Sequence, residues 1–417
     1  MSSRAIEVWA DARALSGPRR MGTLGTRSIR QKELFAFEYD DAWLERPPSA
    51  PLDPALRLYR GPQYLADGRP NFGVFLDSSP DRWGRVLLQR REALRARREA
   101  RRTRTLTELD YLLGVHDSHR MGALRFREGG GPFLDDDADL AAPPWTSLRE
   151  LEAASLHLER EGSENHRDYE KWLRMLVAPG RSLGGARPKA SVVDPSGELW
   201  IAKFPSAKDE VDVGGWEAVT YALAERAGLT VTAARFQRFG RATHHTFLSK
   251  RFDRARTERL HFVSAMTLLE RSDGEPGASY LELAALIARV GAQPSADLEQ
   301  LWRRIVFSMV VSNVDDHLRN HGFLLTPKGW VLSPAYDLNP VPYGDGLSLN
   351  VSTADNAQDL ALAREVAAFF RVSAARARVV EDEVLTAVRR WPEAARKLGL
   401  SRAAQAAMAP AFRVAHG

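Results

Sequence analysis

Ser312-Asn313-Val314-Asp315-Asp316-His317-Leu318-Arg319-Asn320-His321-Gly322-Phe323 decides how this chain is read. An apolar run, Ile305 to Val311, precedes it with the character of a buried helix end, and Phe323-Leu324-Leu325 follows as a short strand. Two carboxylates, two imidazoles and two carboxamides crowd the nine residues Asn313 to His321. Polar groups this dense beside a core element cost desolvation free energy unless they are paired or used. The stretch therefore reads as a functional loop.

Its spacing points to phosphoryl transfer. Asp315 and Asn320 stand five positions apart, as do the Asp and Asn of the kinase catalytic loop, where the Asp takes the proton of the attacking hydroxyl and the Asn holds a metal ion. Downstream, Leu332-Ser333-Pro334-Ala335-Tyr336-Asp337-Leu338 supplies a further acid after a strand-like run. Asn320 and Asp337, with oxygen donors, suit Mg²⁺.

Upstream lie the other parts such a site needs. Gly184-Gly185-Ala186-Arg187-Pro188-Lys189 precedes a strand, Ala190 to Val193, a Pro195-Ser196-Gly197 turn and a second strand through Lys203. Glycines let backbone N–H groups approach phosphates, and Lys189 adds a point charge. It is not a Walker A loop, since no Gly-Lys-[Ser/Thr] follows. Lys203 matches the kinase strand lysine that reaches the phosphates and pairs with a helix Glu. The next helix, Gly214 to Ala227, offers Glu217.

The 417 residues predict two or three domains, and 44% hydrophobic with 27% charged content is globular. With no cysteine, disulfides and thiolate metal sites are excluded, and a reducing cytoplasm fits. No apolar stretch is long enough to span a membrane, and the first residues lack a signal-peptide pattern. The net charge of +5 permits nucleic-acid contact without demanding it.

The chain divides into segments 1–130, 131–252 and 253–417. In the first, alternation at Ile6 to Ala10 and Leu34 to Tyr39, with glycines between, predicts a small antiparallel sheet. Gly73 to Gly84 predicts a strand turning into a helix, capped by Asp77 or Ser79 with Pro80 in its first turn. That helix is expected to run through Arg90 to Arg104, which holds eight arginines in fifteen residues. Such a run is either a solvated face or a surface for nucleic acid or an acidic partner. Gly129 to Asp137 marks a boundary, and helical periodicity runs from Ser147 to about Val177. Further along the chain, helices are expected at Ser279–Val290 and Leu298–Val311, a strand at Leu347–Val351, and Ala- and Arg-rich helices from 358 to 416 broken at Trp391-Pro392.

Five motifs together resemble the HipA-type serine/threonine kinases, the toxins of bacterial toxin–antitoxin pairs. They are Ser182-x-Gly-Gly-Ala-x-x-Lys189, Ile201-Ala202-Lys203-Phe204-Pro205, Arg251-Phe252-Asp253-Arg254, Asn313-x-Asp315-Asp316-His317-x-Arg319-Asn320 and Pro334-Ala335-Tyr336-Asp337-Leu338. The resemblance implies an α+β, two-lobed, protein-kinase-like fold: a small β-rich N-terminal subdomain, a nucleotide-binding region and a mainly helical C-terminal lobe. By that resemblance Asp315 is the base. Asn320 and Asp337 hold Mg²⁺. Residues Gly184 to Lys189 cover ATP and Lys203 contacts its phosphates. Lys250, Arg251 and Phe252 form the hinge beside adenine, and His317 and Tyr336 complete the nucleotide site. Ser182 occupies the position that relatives autophosphorylate to switch themselves off. The implied partners are a small helix-turn-helix antitoxin (HipB-like), operator DNA through that complex, and a protein substrate, an aminoacyl-tRNA synthetase in one branch of the family. Two positions depart from the pattern: Arg187-Pro188 replaces a more acidic, flexible pair, and Lys250 stands where an acid is common.

Two rival readings follow from the same residues. One is a catalytically idle partner of a DNA-binding antitoxin, a co-repressor with the arginine helix on DNA. The other is a metal-dependent phosphohydrolase using Asp315, Asp316, His317 and His321, which leaves the glycine loop and Lys203 unexplained.

Overall fold

A computed structural model describes residues 3–15, 17–29, 32–66, 68–134, 142–177, 185, 187–240 and 242–416. Ser182, Gly184 and Ala186 lie outside the described residues. The chain packs as two units, one of Met1–Ala207, Lys250–Val263 and Leu324–Lys328, the other of Lys208–Ser249, Ser264–Phe323 and Gly329–Gly417. This division by packing cuts across the three segments read along the chain.

The first unit opens with the expected antiparallel sheet. Its strands are β1 (Ser3–Ala12), β2 (Gly17–Ile29), β3 (Lys32–Tyr39), β4 (Gln63–Tyr64) and β5 (Leu124–Arg127), in the order β4-β3-β2-β1-β5. Ile6, Val8, Ala10 and Ala12 alternate into the core, as the two-residue period of a strand requires. The glycine-bearing stretch between the two alternating runs is not a turn region but the central strand. Gly22 is needed there because a Cβ would meet Glu38 O at 2.1 Å across the β2–β3 ladder. Phe37, Phe75 and Phe126 stack inward from the sheet and the segment beside it, with ring centroids 5.8 and 6.1 Å apart.

Gly73 to Ser78 is a helix rather than a strand, and a second helix, Arg82–Arg98, follows it. Neither Asp77 nor Ser79 caps the second helix. Asp81 does, its Oδ1 accepting from Gly84 N at 2.8 Å, so Pro80 falls before the cap rather than in the first turn. The arginine run is not one continuous helix. The helix closes at Arg98, where Ala100 turns left-handed (φ 51°) and Arg101 N donates to Ala96 O at 3.0 Å. Glu108–Leu113 forms a short helix, with a Thr107–Asp110 capping box. The periodicity from Ser147 resolves into two helices, Leu148–Glu159 and Tyr169–Val177, around a 3₁₀ turn at Ser163–Asn165. Lys189–Val193 and Leu199–Lys203 then pair as the predicted hairpin, with Lys189 opposite Lys203.

The second unit is mainly helical. Val213–Arg226 starts behind the Asp212 cap, and Ser279 caps Tyr280–Val290 with Glu282 completing a capping box. The long helix Pro294–Val310 is almost wholly buried and begins four residues before its predicted start. Leu347 to Val351 forms no strand beyond an isolated parallel bridge of Asn350 to Ser279, with Asn350 N donating to Ala278 O and Val351 N to Asp355 O. The C-terminal helices break as expected, Ala374–Val388 ending before Trp391–Lys397, which carries Pro392 in its first turn. Trp391 stacks on Phe412 at 4.7 Å to close this core. Among the described residues no helix is long and apolar enough to cross a membrane.

Candidate active site

In the second unit, the buried helix Pro294–Val310 ends and Ser312 reverses the chain with a left-handed φ of 51°. A side chain there costs about 1–2 kcal/mol relative to a right-handed residue, and the residues that follow hold it. Asn313 N donates to Ser308 O at 2.8 Å. Its side chain spans two loops: Oδ1 accepts from Asn339 N at 3.1 Å, and Nδ2 faces Ser308 Oγ at 3.4 Å. Val341 N donates to Ser312 O at 3.0 Å. The segment bearing Asp337 is thus fastened to the segment bearing Asp315 and Asn320.

Within that frame the two acids differ sharply in setting. Asp315 is exposed, and among the described residues its carboxylate has no hydrogen-bond partner. Asp316, the next residue, is buried and accepts from Tyr280 Oη at 2.5 Å and His321 Nε2 at 3.1 Å. Burial alone would raise its carboxyl, but the charge and hydrogen bond of His321, the Tyr280 hydroxyl and nearby His317 outweigh it and hold the group low. Burial and the Asp316 charge push the Tyr280 phenol well above its ordinary value. Asp316 is therefore an anchor under the loop. Below it lies Arg304, buried, donating to Ser333 O and brought down to about 10 by burial.

Asn320 Nδ2 donates to Asp315 O at 3.0 Å, which fixes the amide plane and leaves Oδ1 as its outward acceptor. Asp337 takes the left-handed region (φ 59°), and one of its oxygens accepts from Asn339 Nδ2 at 3.2 Å. Residues held in sparsely populated backbone regions cluster at functional sites. Tyr336 Oη donates to Arg319 O, and His317 is half-buried with Nδ1 unpartnered among the described residues. Among the described residues no three or more His, Asp or Glu gather to hold a metal. An Asn oxygen and a carboxylate nevertheless fit Mg²⁺, which takes one or two protein ligands and completes its shell with water and phosphate.

The first unit carries the other sequence-predicted residues. Lys203 ends its strand half-buried. Pro188 O accepts from Phe204 N at 2.9 Å, which ties the end of the glycine loop to that strand. Gly185 is exposed and Arg187 half-buried. Lys189 is buried: its Nζ donates to Gly185 O at 3.0 Å and lies 3.3 Å from Asp81 Oδ2.

At the hinge, Arg251 N donates to Leu199 O at 2.9 Å, and Lys250 Nζ pairs with Glu198 at 2.5 Å. The Arg251 side chain is fully engaged, by Asp253 and by the carbonyls of His119 and Arg120. Phe252 is half-buried, its ring 5.7 Å from Phe262. Asp253 is the hub here, bound by Arg251, Arg254 and Gly122 N. Burial would raise its carboxyl, yet the two guanidiniums hold it far below the usual range.

The arginine run is largely spent within the first unit. Arg98 pairs with Glu170, Arg101 with Glu92 and Glu99, and Arg104 with Asp110, while Arg90 and Arg97 donate to the carbonyls of Leu158 and Glu164. Sequence reasoning missed Asn339, Tyr280 and Asp81. An Asn two residues after Asp337 could have flagged the first, but nothing local marks the other two.

The model of the HipA-like C-terminal domain matches residues 181–398. The chain belongs to the HipA-like family. It is similar to Y4mE, a candidate kinase of Sinorhizobium fredii, at 27% identity over 380 residues, covering 83% of this chain and 79% of that protein. It is also similar to a chain of the Shewanella oneidensis MR-1 complex of the toxin–antitoxin proteins HipA and HipB with operator DNA. The TM-score is 0.66 at 18% identity, with 98% of this chain and 95% of that one covered. At that identity the likeness concerns the fold, and the HipA-like α+β fold expected from the motifs is the one found.

Proposed function

We propose that this HipA-like protein is an ATP- and Mg²⁺-dependent serine/threonine protein kinase, the cytoplasmic toxin of a toxin–antitoxin pair. The observation that carries the reading is the Asn313 side chain, which binds Ser308 and Asn339 and so joins the Asp315–Asn320 loop to the Asp337 loop. Asp315 is exposed and unengaged among the described residues, as a base that must reach a substrate hydroxyl needs to be. It accepts the hydroxyl proton as the oxygen attacks the terminal phosphorus of ATP, and ADP leaves. Asn320 Oδ1 and Asp337 would hold Mg²⁺, which offsets the phosphate charge when bound. Lys203 is assigned to the phosphates and the backbone of 250–252 to adenine.

The neighbouring HipA–HipB–operator complex supports an antitoxin of the HipB kind and, through it, DNA. The substrate is a cellular protein, an aminoacyl-tRNA synthetase being the first to try, and Ser182 is the proposed inhibitory autophosphorylation site. The co-repressor reading draws less from the arginine run than the sequence offers, since Arg98, Arg101 and Arg104 pair with carboxylates of the first unit and Arg90 and Arg97 donate to carbonyls there. Incubation of the purified protein with γ-labelled ATP and Mg²⁺ tests the proposal. Label on protein, at Ser182 or on an added substrate, supports it. Free labelled phosphate points to a hydrolase, and unchanged ATP to an idle binding partner.

A further inference from the structure

Asp81 is a buried acid that the kinase reading does not use. Its two oxygens do different work within the first unit. Oδ1 accepts from Gly84 N at 2.8 Å and caps the helix Arg82–Arg98. Oδ2 is buried without an aligned hydrogen bond and lies 3.3 Å from Lys189 Nζ. Both side chains are almost wholly out of solvent, at 1% and 2% exposure. The lysine also donates to Gly185 O, inside the glycine loop. Arg85, one turn along the helix, feels the same carboxylate charge.

A buried ammonium needs counter-charge, and Asp81 is a buried carboxylate that supplies it to Lys189 at 3.3 Å. Lys189 in turn holds the carbonyl of Gly185. We propose that Asp81 is a positioning residue for the nucleotide loop: through Lys189 it fixes the end of that loop to the N-terminal subdomain. On this reading Lys189 acts on nucleotide chiefly by shaping the loop, and a disturbance at the start of the arginine helix reaches the ATP site. The proposal rests on the kinase reading for its kinetic consequence, but not for the ion pair itself.

Asp81→Asn separates the two roles, because Asn caps a helix about as well as Asp but carries no charge. The first measurement needs no activity: amine-directed acylation of the folded protein, read by peptide mass spectrometry at Lys189. The wild type should be protected, and Asp81→Asn should react at least tenfold faster. The second is the KM–kcat split for ATP, where Asp81→Asn should raise KM at least tenfold and change kcat less than threefold. If the single variant folds poorly, Asp81→Asn with Lys189→Met, which removes both charges, should recover its melting temperature. Equal labelling of Lys189 in wild type and Asp81→Asn would overturn the ion pair. Increased labelling with an unchanged KM would overturn the positioning role. A wild type that transfers no phosphate would refute the kinase reading while leaving the labelling result to decide the pair.

Discussion

Two polar clusters in this protein are built from the same kinds of residue and settle their charge in opposite ways. At Asp253, in the first unit, every acceptor is answered: Arg251, Arg254 and Gly122 N surround a fully buried carboxylate. At Asp315, in the second, the carboxylate is exposed and unengaged among the described residues, and the neighbouring Ser312 and Asp337 sit in left-handed backbone. The supporting bonds there go to the frame, through Asn313, Asp316 and Tyr336, and leave Asp315 open. A satisfied acid holds a fold together; an acid held open by satisfied neighbours is available for chemistry.

The comparison is most exposed to Asp315→Asn. The variant should fold as the wild type does, with an unchanged thermal transition, and lose about 10²–10⁴-fold in phosphoryl transfer, the usual contribution of a general base. Retained turnover in folded protein would remove Asp315 from the mechanism.

Asp253→Asn should fail in the other direction. Removing one partner of a buried ion cluster costs about 3–5 kcal/mol, read as a lower denaturation midpoint, while any residual folded protein keeps its kcat. Its pH dependence has a definite sign. The folded carboxyl lies far below its ordinary value of 3.8, so the stabilisation is complete above that value and is lost as pH falls below it. Wild-type stability should therefore decline below about pH 4 more steeply than that of the variant.

Asn313→Ala tests the frame between these extremes. It unpairs Asn339 N and shortens the bridge to the Asp337 loop. Leaving a buried donor unsatisfied costs about 1–3 kcal/mol. The Mg²⁺ concentration for half-maximal activity should rise together with that loss. A stability loss with unchanged Mg²⁺ dependence would make Asn313 a brace for the fold alone.

Which of these roles could be read beforehand depends on how local the signal is. That Asp315 and Asn320 share one loop after a buried helix, and that Asp337 follows a short strand, was legible because fixed spacing and adjacent apolar runs are properties of one stretch of chain. The Lys189–Lys203 hairpin was legible for the same reason. The helix at Gly73–Ser78 was not, since Val74, Phe75 and Leu76 are good strand residues and only their packing against the sheet, with Val74 N bound by Asp53, makes them helical. The strand Gly17–Ile29 was hidden by Gly22 and Gly25, which look like turn residues until the facing strand shows why Gly22 can carry no Cβ. Asp316 and Asp81 have partners 36 and more than 100 positions away, a separation no pattern along the chain reports. Arg251-Phe252-Asp253-Arg254 was legible as a motif, but its purpose as a buried ion cluster was not.

The smallest effect is expected from Arg97, Arg98, Arg101 and Arg102 changed together to Gln. From the sequence, eight arginines in fifteen residues are either a solvated face or a surface for nucleic acid or an acidic partner, and on the nucleic-acid reading every phosphate left without its arginine would flatten the slope of log affinity against log salt by about 0.9. The structure pairs part of that charge within the first unit. Arg98 pairs with Glu170, Arg101 with Glu92 and Glu99, and Arg97 reaches Glu164 O. Arg98 and Arg101 are 58% and 36% exposed, so solvent screens their pairs and each adds little to stability. Glu92 is the tighter member: the Arg101 hydrogen bond outweighs burial and, with Arg104, brings it from 4.5 to about 2. Its contribution is present above 4.5 and fades as pH falls toward 2, and the quadruple variant should lose that acid-range dependence. With an antitoxin on operator DNA, the salt slope of the variant should stay within about one unit of wild type. A drop of about two or more would mean that these arginines exchange their internal carboxylates for phosphates on binding, and the run would then belong with the open, working charges rather than the satisfied ones.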